Sequence, residues 1–197
     1  YATYMLGMVN ETDLCYLGGF PGERLKEVFG IWNEEIDTLY PEERGEVEMD
    51  GVKYLQKDYA ELIHANTATV LARYTKEFYA GMPALTVNTY GKGKAYYQAF
   101  RDEGEFTEKA LSDILTELNI QPTLSVLPKQ GVTAHCRTDG KFTYLFVENY
   151  NAEKVEGLSL DGEWINIVTG ERVSVIDLEA YDIAVLKKEN KYINGGL

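Results

Sequence analysis

The chain has 197 residues, 45% of them hydrophobic, with 32 Asp and Glu against 19 Lys and Arg for a formal charge of −13. That length holds one large domain or two small ones around an ordinary core, and the acidic excess repels DNA or RNA over most of the surface. No apolar run has the length of a membrane span, and no hydrophobic leader follows a charged start.

Tyr1–Val9 reads as a buried strand, ended by the turn-forming Asn10-Glu11-Thr12-Asp13. The start at Tyr1, without methionine, reads as that of an excised piece. Gly18-Gly19 and Pro21-Gly22 punctuate the next stretch, and Pro21 suits the start of a helix. Leu25, Val28 and Phe29 fall at i, i+3 and i+4, and Gly30 is placed to end that helix in the left-handed conformation. Ile31-Trp32 and Ile36–Tyr40 then read as extended chain interrupted by Asn33-Glu34-Glu35.

Pro41–Asp50 is acidic enough to read as a solvated loop. Val52–Leu55, Tyr59–His64 and Thr69–Tyr74 read as strands, and Ala84–Thr89 with Lys94–Phe100 as a hairpin through Tyr90-Gly91-Lys92-Gly93. Phe106, Ala110, Leu111, Ile114, Leu115 and Leu118 predict a helix over Thr107–Leu118 packed on the preceding sheet. Helical periodicity then stops: Pro122 and Pro128 bracket Thr123–Leu127, which predicts domains of 1–124 and 125–197. Val132–Arg137, Phe142–Asn149, Val155–Leu160, Glu163–Val168, Arg172–Ile176 and Asp182–Lys187 read as short strands of a small antiparallel β-sandwich or barrel. The polar, glycine-ended tail from Lys187 reads as frayed.

Three blocks carry a family resemblance. They are Gly18–Pro41 (GGFPGERLKEVFGIWNEEIDTLYP), Val70–Tyr74 with Phe78–Ala84 and Asn88–Tyr97, and the terminal strand Tyr181–Leu186. Their order resembles the trimerisation domain and small terminal β-domain of family 42 glycoside hydrolases, the microbial β-galactosidases. The resemblance implies the C-terminal portion of an amidotransferase-like (flavodoxin-like) layered α/β domain followed by the β-domain. It further implies self-association as a trimer and a parent enzyme that hydrolyses terminal β-D-galactosides with retention. The two catalytic glutamates would lie in an upstream barrel, so this chain alone is expected to be inactive.

Glu34 in Asn33-Glu34 and Glu148 at a strand end mimic glycosidase carboxylates. Retention needs two carboxyls about 5–5.5 Å apart, usually on a barrel of eight βα units, and the strands here lack such helices. Neither is assigned as catalytic. His64 and His135 are the two histidines; His135 and Cys136 leave a strand on opposite faces, and no zinc site is expected. Cys15 is the amidotransferase-type nucleophile to weigh, but it reads as a buried reduced thiol. Cys15 and Cys136 are far apart and fit no disulfide framework, which suits the cytoplasm. Gly19-Phe20-Pro21-Gly22 fits a G-x-x-G RNA clamp without the basic surroundings that clamp needs. Tyr90-Gly91-Lys92-Gly93 lacks the spacing of a phosphate loop. No cofactor, metal, nucleic-acid or membrane partner is expected.

The aromatics Phe20, Trp32, Tyr40 and Tyr90 are read as core, with a subunit interface or the rim of a neighbour's sugar pocket as their other use. On that second reading Phe20, Arg24, Trp32, Glu35 and Tyr90 are the rim or interface residues. A stand-alone carbohydrate-binding or assembly module is the competing function.

Overall fold

The computed structural model describes residues 1–126 and 130–190. Pro128 and the glycine-ended tail lie outside the described residues. The chain divides into two compact units, Tyr1–Leu115 and the part from Thr116 onward. The described residues hold two helices among thirteen strands, which excludes a (β/α)8 barrel within them.

The first unit is built on one mixed sheet of eight strands. In chain order these are β1 (Ala2–Thr3), β2 (Ile31–Thr38), β3 (Gly45–Met49), β4 (Val52–Ala65), β5 (Thr69–Tyr74), β6 (Pro83–Tyr90), β7 (Gly93–Gln98) and β8 (Phe100–Asp102). Helix α1 (Leu25–Phe29) precedes β2 and α2 (Glu105–Glu117) follows β8. The sheet order is β1-β7-β6-β5-β3-β4-β2, with β8 also on β4. Only β1 and β7 run parallel among these pairs. The result is mostly β, where a layered α/β domain was expected.

β4 is the spine. It pairs with β2, β3 and β8 in turn, and successive residues serve opposite faces. Ala60 and Leu62 join one cluster with Val47, Tyr74, Tyr79, Phe100 and, from α2, Phe106 and Ala110. Ile63 joins another with Phe29, Ile31, Tyr97 and Ala99. Burial on both faces explains the continuous run Ala60-Glu61-Leu62-Ile63.

Gly30 makes the corner between α1 and β2. Its φ of 64° is left-handed, and its N–H donates to the Lys26 carbonyl at 2.8 Å. Its own carbonyl accepts from the N–H groups of Asn66, Thr67 and Ala68 at 2.8, 3.2 and 3.3 Å. Asn88 braces the corner: its Nδ2 donates to the Glu27 and Val28 carbonyls at 3.0 and 2.9 Å, and its Oδ1 accepts from Thr67 Oγ1 at 3.0 Å. The predicted glycine stop is thus present, and it also anchors the β4–β5 connection.

Several expectations need correction. The strand over Tyr1–Val9 shrinks to Ala2–Thr3, because Met5 and Gly7 take positive φ and turn the chain. The acidic Pro41–Asp50 loop contains β3, whose Val47 and Met49 are buried while Glu48 faces water. The two strands predicted within 52–64 are one, with a register shift between Lys57 and Ala60 and Asp58 at φ 57°. Helix α2 buries Phe106 and Ala110, but Leu111, Leu115 and Leu118 are exposed, so its stripe is only partly packed. The helix is capped by Asp102, which accepts from Gly104 N, Thr107 N and Thr107 Oγ1 at 2.9, 3.0 and 2.8 Å.

The second unit is a five-stranded antiparallel sheet of β9 (Val132–Thr138), β10 (Phe142–Asn149), β11 (Val155–Asn166), β12 (Arg172–Leu178) and β13 (Ile183–Glu189), in the order β12-β11-β13-β10-β9. Its hydrogen bonds join all five into one antiparallel sheet, the coarser part of the small sandwich or barrel expected. The core gathers Leu124, Leu145, Val147, Leu158, Leu160, Trp164, Ile176, Leu178 and Leu186. The break expected between the strands Val155–Leu160 and Glu163–Val168 is an irregularity inside β11, between Ser159 and Trp164, with Gly162 at φ 83°. Asn149, 2% exposed, ties the loops together: its Nδ2 donates to the Glu153 and Glu179 carbonyls at 2.9 and 2.8 Å, and its Oδ1 accepts from Asn151 N and Nδ2 at 3.0 Å each.

A Cβ at Gly30 would lie 2.4 Å from Thr67 Oγ1 and 2.8 Å from the Ala68 backbone N, whereas one at Gly91 would meet nothing within 4 Å. Both residues have positive φ, so Gly91→Ala costs about 1 kcal/mol from conformation alone, and Gly30→Ala costs roughly 3 kcal/mol or more. Urea unfolding of the two variants measures the difference. Asn149→Leu removes the donor to the Glu153 and Glu179 carbonyls and the acceptor for Asn151, and costs about 1–2 kcal/mol in the same measurement.

Candidate functional site

Three of the aromatic and acidic residues singled out by sequence, Trp32, Glu34 and Glu35, lie on β2, an end strand of the first sheet. The β2–β4 register shifts between Asn33, opposite Ile63, and Glu35, opposite Leu62, so Glu34 has no partner residue. Such a bulge re-aims the side chain it frees. Here the Glu34 Oε2 reaches His64 Nε2 at 2.6 Å. Trp32 lies directly opposite His64, and the two rings stack 4.3 Å apart at 9°. Trp32 remains 38% exposed. Indole, imidazole and carboxylate thus form one open patch, of the kind that contributes fractions of a kcal/mol to the sheet while presenting an aromatic face outward.

Phe20 joins this edge, since its carbonyl accepts from Asn33 N at 2.8 Å. Glu35 follows on the same strand, exposed. Arg24 sits ahead of α1, and its carbonyl accepts from Glu27 and Val28. Tyr90 ends β6 and lines a separate depression. Phe20, Trp32 and Glu35 therefore share an edge, with Arg24 and Tyr90 placed elsewhere. The core reading of the aromatics is corrected: Trp32, Tyr40 and Tyr90 are exposed, and Phe20 is half-buried. Cys15 is likewise exposed, not buried, at an isolated bridge to Val9. A short bridge in a turn-rich segment offers it no core to enter.

Glu34 and Glu148 belong to different units and have local partners. Glu148 accepts from Thr133 Oγ1 at 2.9 Å and Tyr150 Oη at 3.3 Å, with His135 Nδ1 at 3.8 Å. Both carboxylates are held by hydroxyl or imidazole groups, the ordinary state of surface acids. Among the described residues no cluster of three or more His, Cys, Asp or Glu could hold a metal ion, and no helix is long and apolar enough to cross a membrane.

Sequence reasoning passed over Glu61, which is 1% exposed. Its Oε1 accepts from Met5 N at 2.9 Å and its Oε2 from Tyr97 Oη at 2.5 Å. Burial raises its pKa, partly offset by the donors from Tyr97 and Met5. Asn33 itself is buried, and its Oδ1 and Nδ2 make no hydrogen bond among the described residues. The Tyr97 hydroxyl is pushed far up, first by burial and then by Glu61. The only sequence signal was a carboxylate within an apolar strand, and it needs the β4 register to interpret.

Because the folded-state pKa of Glu61 is raised, the native protein holds this proton where the unfolded chain has lost it. The Glu61 term therefore favours folding most below the ordinary carboxylate pKa and declines as pH rises through the folded value. Glu61→Gln keeps an acceptor and removes that titration. Its urea midpoint relative to the parent should rise between pH 5 and pH 8; a pH-independent offset would contradict this account.

Residues 2–121 match the β-galactosidase trimerisation domain and residues 131–188 the β-galactosidase C-terminal domain. The β-galactosidase Pbg of Clostridium perfringens is 38% identical over 195 residues, covering 95% of this chain and 28% of that protein. GanA of Bacillus subtilis is 37% identical over 185 residues, covering 93% of this chain and 27% of its own length. Among solved structures, the β-galactosidase from Rahnella sp. R3 has a TM-score of 0.78 at 38% identity over 95% of this chain and 28% of that one. That from Bacillus circulans has a TM-score of 0.77 at 34% identity, covering 94% and 28%. The chain thus spans a little over a quarter of the relatives it matches, and it belongs to the β-galactosidase trimerisation-domain family of glycoside hydrolase family 42.

Proposed function

We propose that this chain is the non-catalytic C-terminal part of a β-galactosidase, serving oligomerisation and scaffolding. The parent hydrolyses terminal β-D-galactosides with retention, through a carboxylate pair on residues outside these 197, and meets its galactoside only there. The observation that carries the reading is the match of a trimerisation domain over residues 2–121 in a chain that spans about 28% of relatives named β-galactosidases. The engaged state of Glu34 and Glu148 supports it.

On this reading the chain changes over near residue 124, between the two family matches, from the partial flavodoxin-like layered α/β domain to the small β-sandwich-type domain. Phe20, Arg24, Trp32, Glu35 and Tyr90 are the residues assigned to the subunit interface or the rim of a neighbour's pocket, and self-association is as a trimer. A cytoplasmic location fits two cysteines that are both free.

The purified chain should give no hydrolysis of a chromogenic β-galactoside above background, and light scattering should report three times its 22.3 kDa mass. Trp32→Ala should shift that mass toward the protomer. Turnover by the chain alone would overturn the non-catalytic assignment. A strictly monomeric chain at high micromolar concentration would overturn the assembly role.

A further inference from the structure

A second open feature lies away from the β2 edge. The β4–β5 turn, the start of β5, the end of β6 and the exposed side of α1 enclose a depression of about 530 Å³, within the range of small-ligand sites. Its wall includes Tyr90, which is 47% exposed. Around it stand Thr67, Thr69 and Thr89, one carboxylate from Glu27 and one ammonium from Lys94.

Three properties define what fits. First, the floor is rigid: Asn88 is 5% exposed and its amide is committed to α1 and Thr67. A ligand therefore meets a site already formed. Second, the formal charges of Glu27 and Lys94 cancel, on a chain carrying −13 overall. This balance selects against both phosphate-like anions and organic cations. Third, the lining combines an aromatic face with several short hydroxyls, which suits a ligand having one apolar C–H face and a rim of hydroxyl groups.

We propose that this depression binds a neutral, polyhydroxylated ligand, a pyranose ring of a saccharide, with Tyr90 against the sugar's C–H face and Thr69, Thr89 and Glu27 on its hydroxyls. The inference stands on the depression alone and goes beyond the assembly role, because it assigns a ligand that the scaffolding reading does not require.

The test is saturation-transfer NMR on the full chain with methyl β-D-galactopyranoside and, separately, cellobiose as probes, and sodium sulfate as the anionic competitor. Transfer to the ring protons of at least one sugar is expected, with millimolar affinity and no competition by sulfate. Tyr90→Ala should weaken it about tenfold, Thr69→Val several-fold, and Val168→Ala, at an exposed residue of the second unit, not at all. Tyr90 and Thr69 are both exposed, and circular dichroism melts check each variant's fold. No transfer to either sugar, transfer unchanged in Tyr90→Ala and Thr69→Val, or displacement by sulfate would overturn the proposal. Loss of the trimer with sugar binding retained would count against the assembly reading and leave this one standing.

Discussion

The first unit depends on a single carbonyl. The oxygen of Gly30 accepts from three consecutive backbone N–H groups at residues 66 to 68, which fixes where β4 must end and β5 begin. The residue carrying that oxygen has to be left-handed to present it, and the space its side chain would fill is taken by Thr67 and Asn88. One missing Cβ thus coordinates a helix end, a strand start and a strand-to-strand turn that are about 35 residues apart in the chain. Because Asn88 reaches the same corner from β6, local geometry at Gly30 and the register of the distant hairpin are mutually dependent.

Local turn chemistry and periodicity were legible. Gly30 could be identified as a helix stop from the apolar spacing before it, and the Tyr90–Gly93 turn from its two glycines, because both features are determined within a few residues. The bulges were not. Asn33-Glu34-Glu35, Lys57-Asp58 and Asp161-Gly162 carry the same polar residues that mark turns, yet in each case the chain continues in the same strand. A bulge and a turn both need an interruption of alternation, and only pairing across the sheet separates them. The acidic β3 was hidden for a related reason: Glu42, Glu43, Glu46, Glu48 and Asp50 dominate the stretch Pro41–Asp50, while the buried, apolar Val47 and Met49 are two of its ten residues.

The site was legible in part. Composition singles out Trp32 and Glu35 as rim or interface candidates but reads Trp32 first as core, and it cannot link His64 to Trp32 without knowing that they face each other across two strands. Glu61 shows the opposite problem. A glutamate in a strand is ordinary on a half-solvated sheet, and its singularity arises because β4 is covered on both faces. Tertiary burial, which no local pattern encodes, turns a common residue into a carboxylate whose pKa is raised.

The irregularity in β2 has an effect on company as well as on chemistry. An outermost strand displays unsatisfied amides and carbonyls to any passing extended peptide. Here the ladder is broken at Glu34, one amide is already occupied by Phe20, and Glu34, Glu35 and Asp37 crowd the rim with negative charge. A stray polypeptide cannot lie flat along it. Whatever docks on this flank must do so through side chains, so that association is selective by shape rather than open to indiscriminate strand addition.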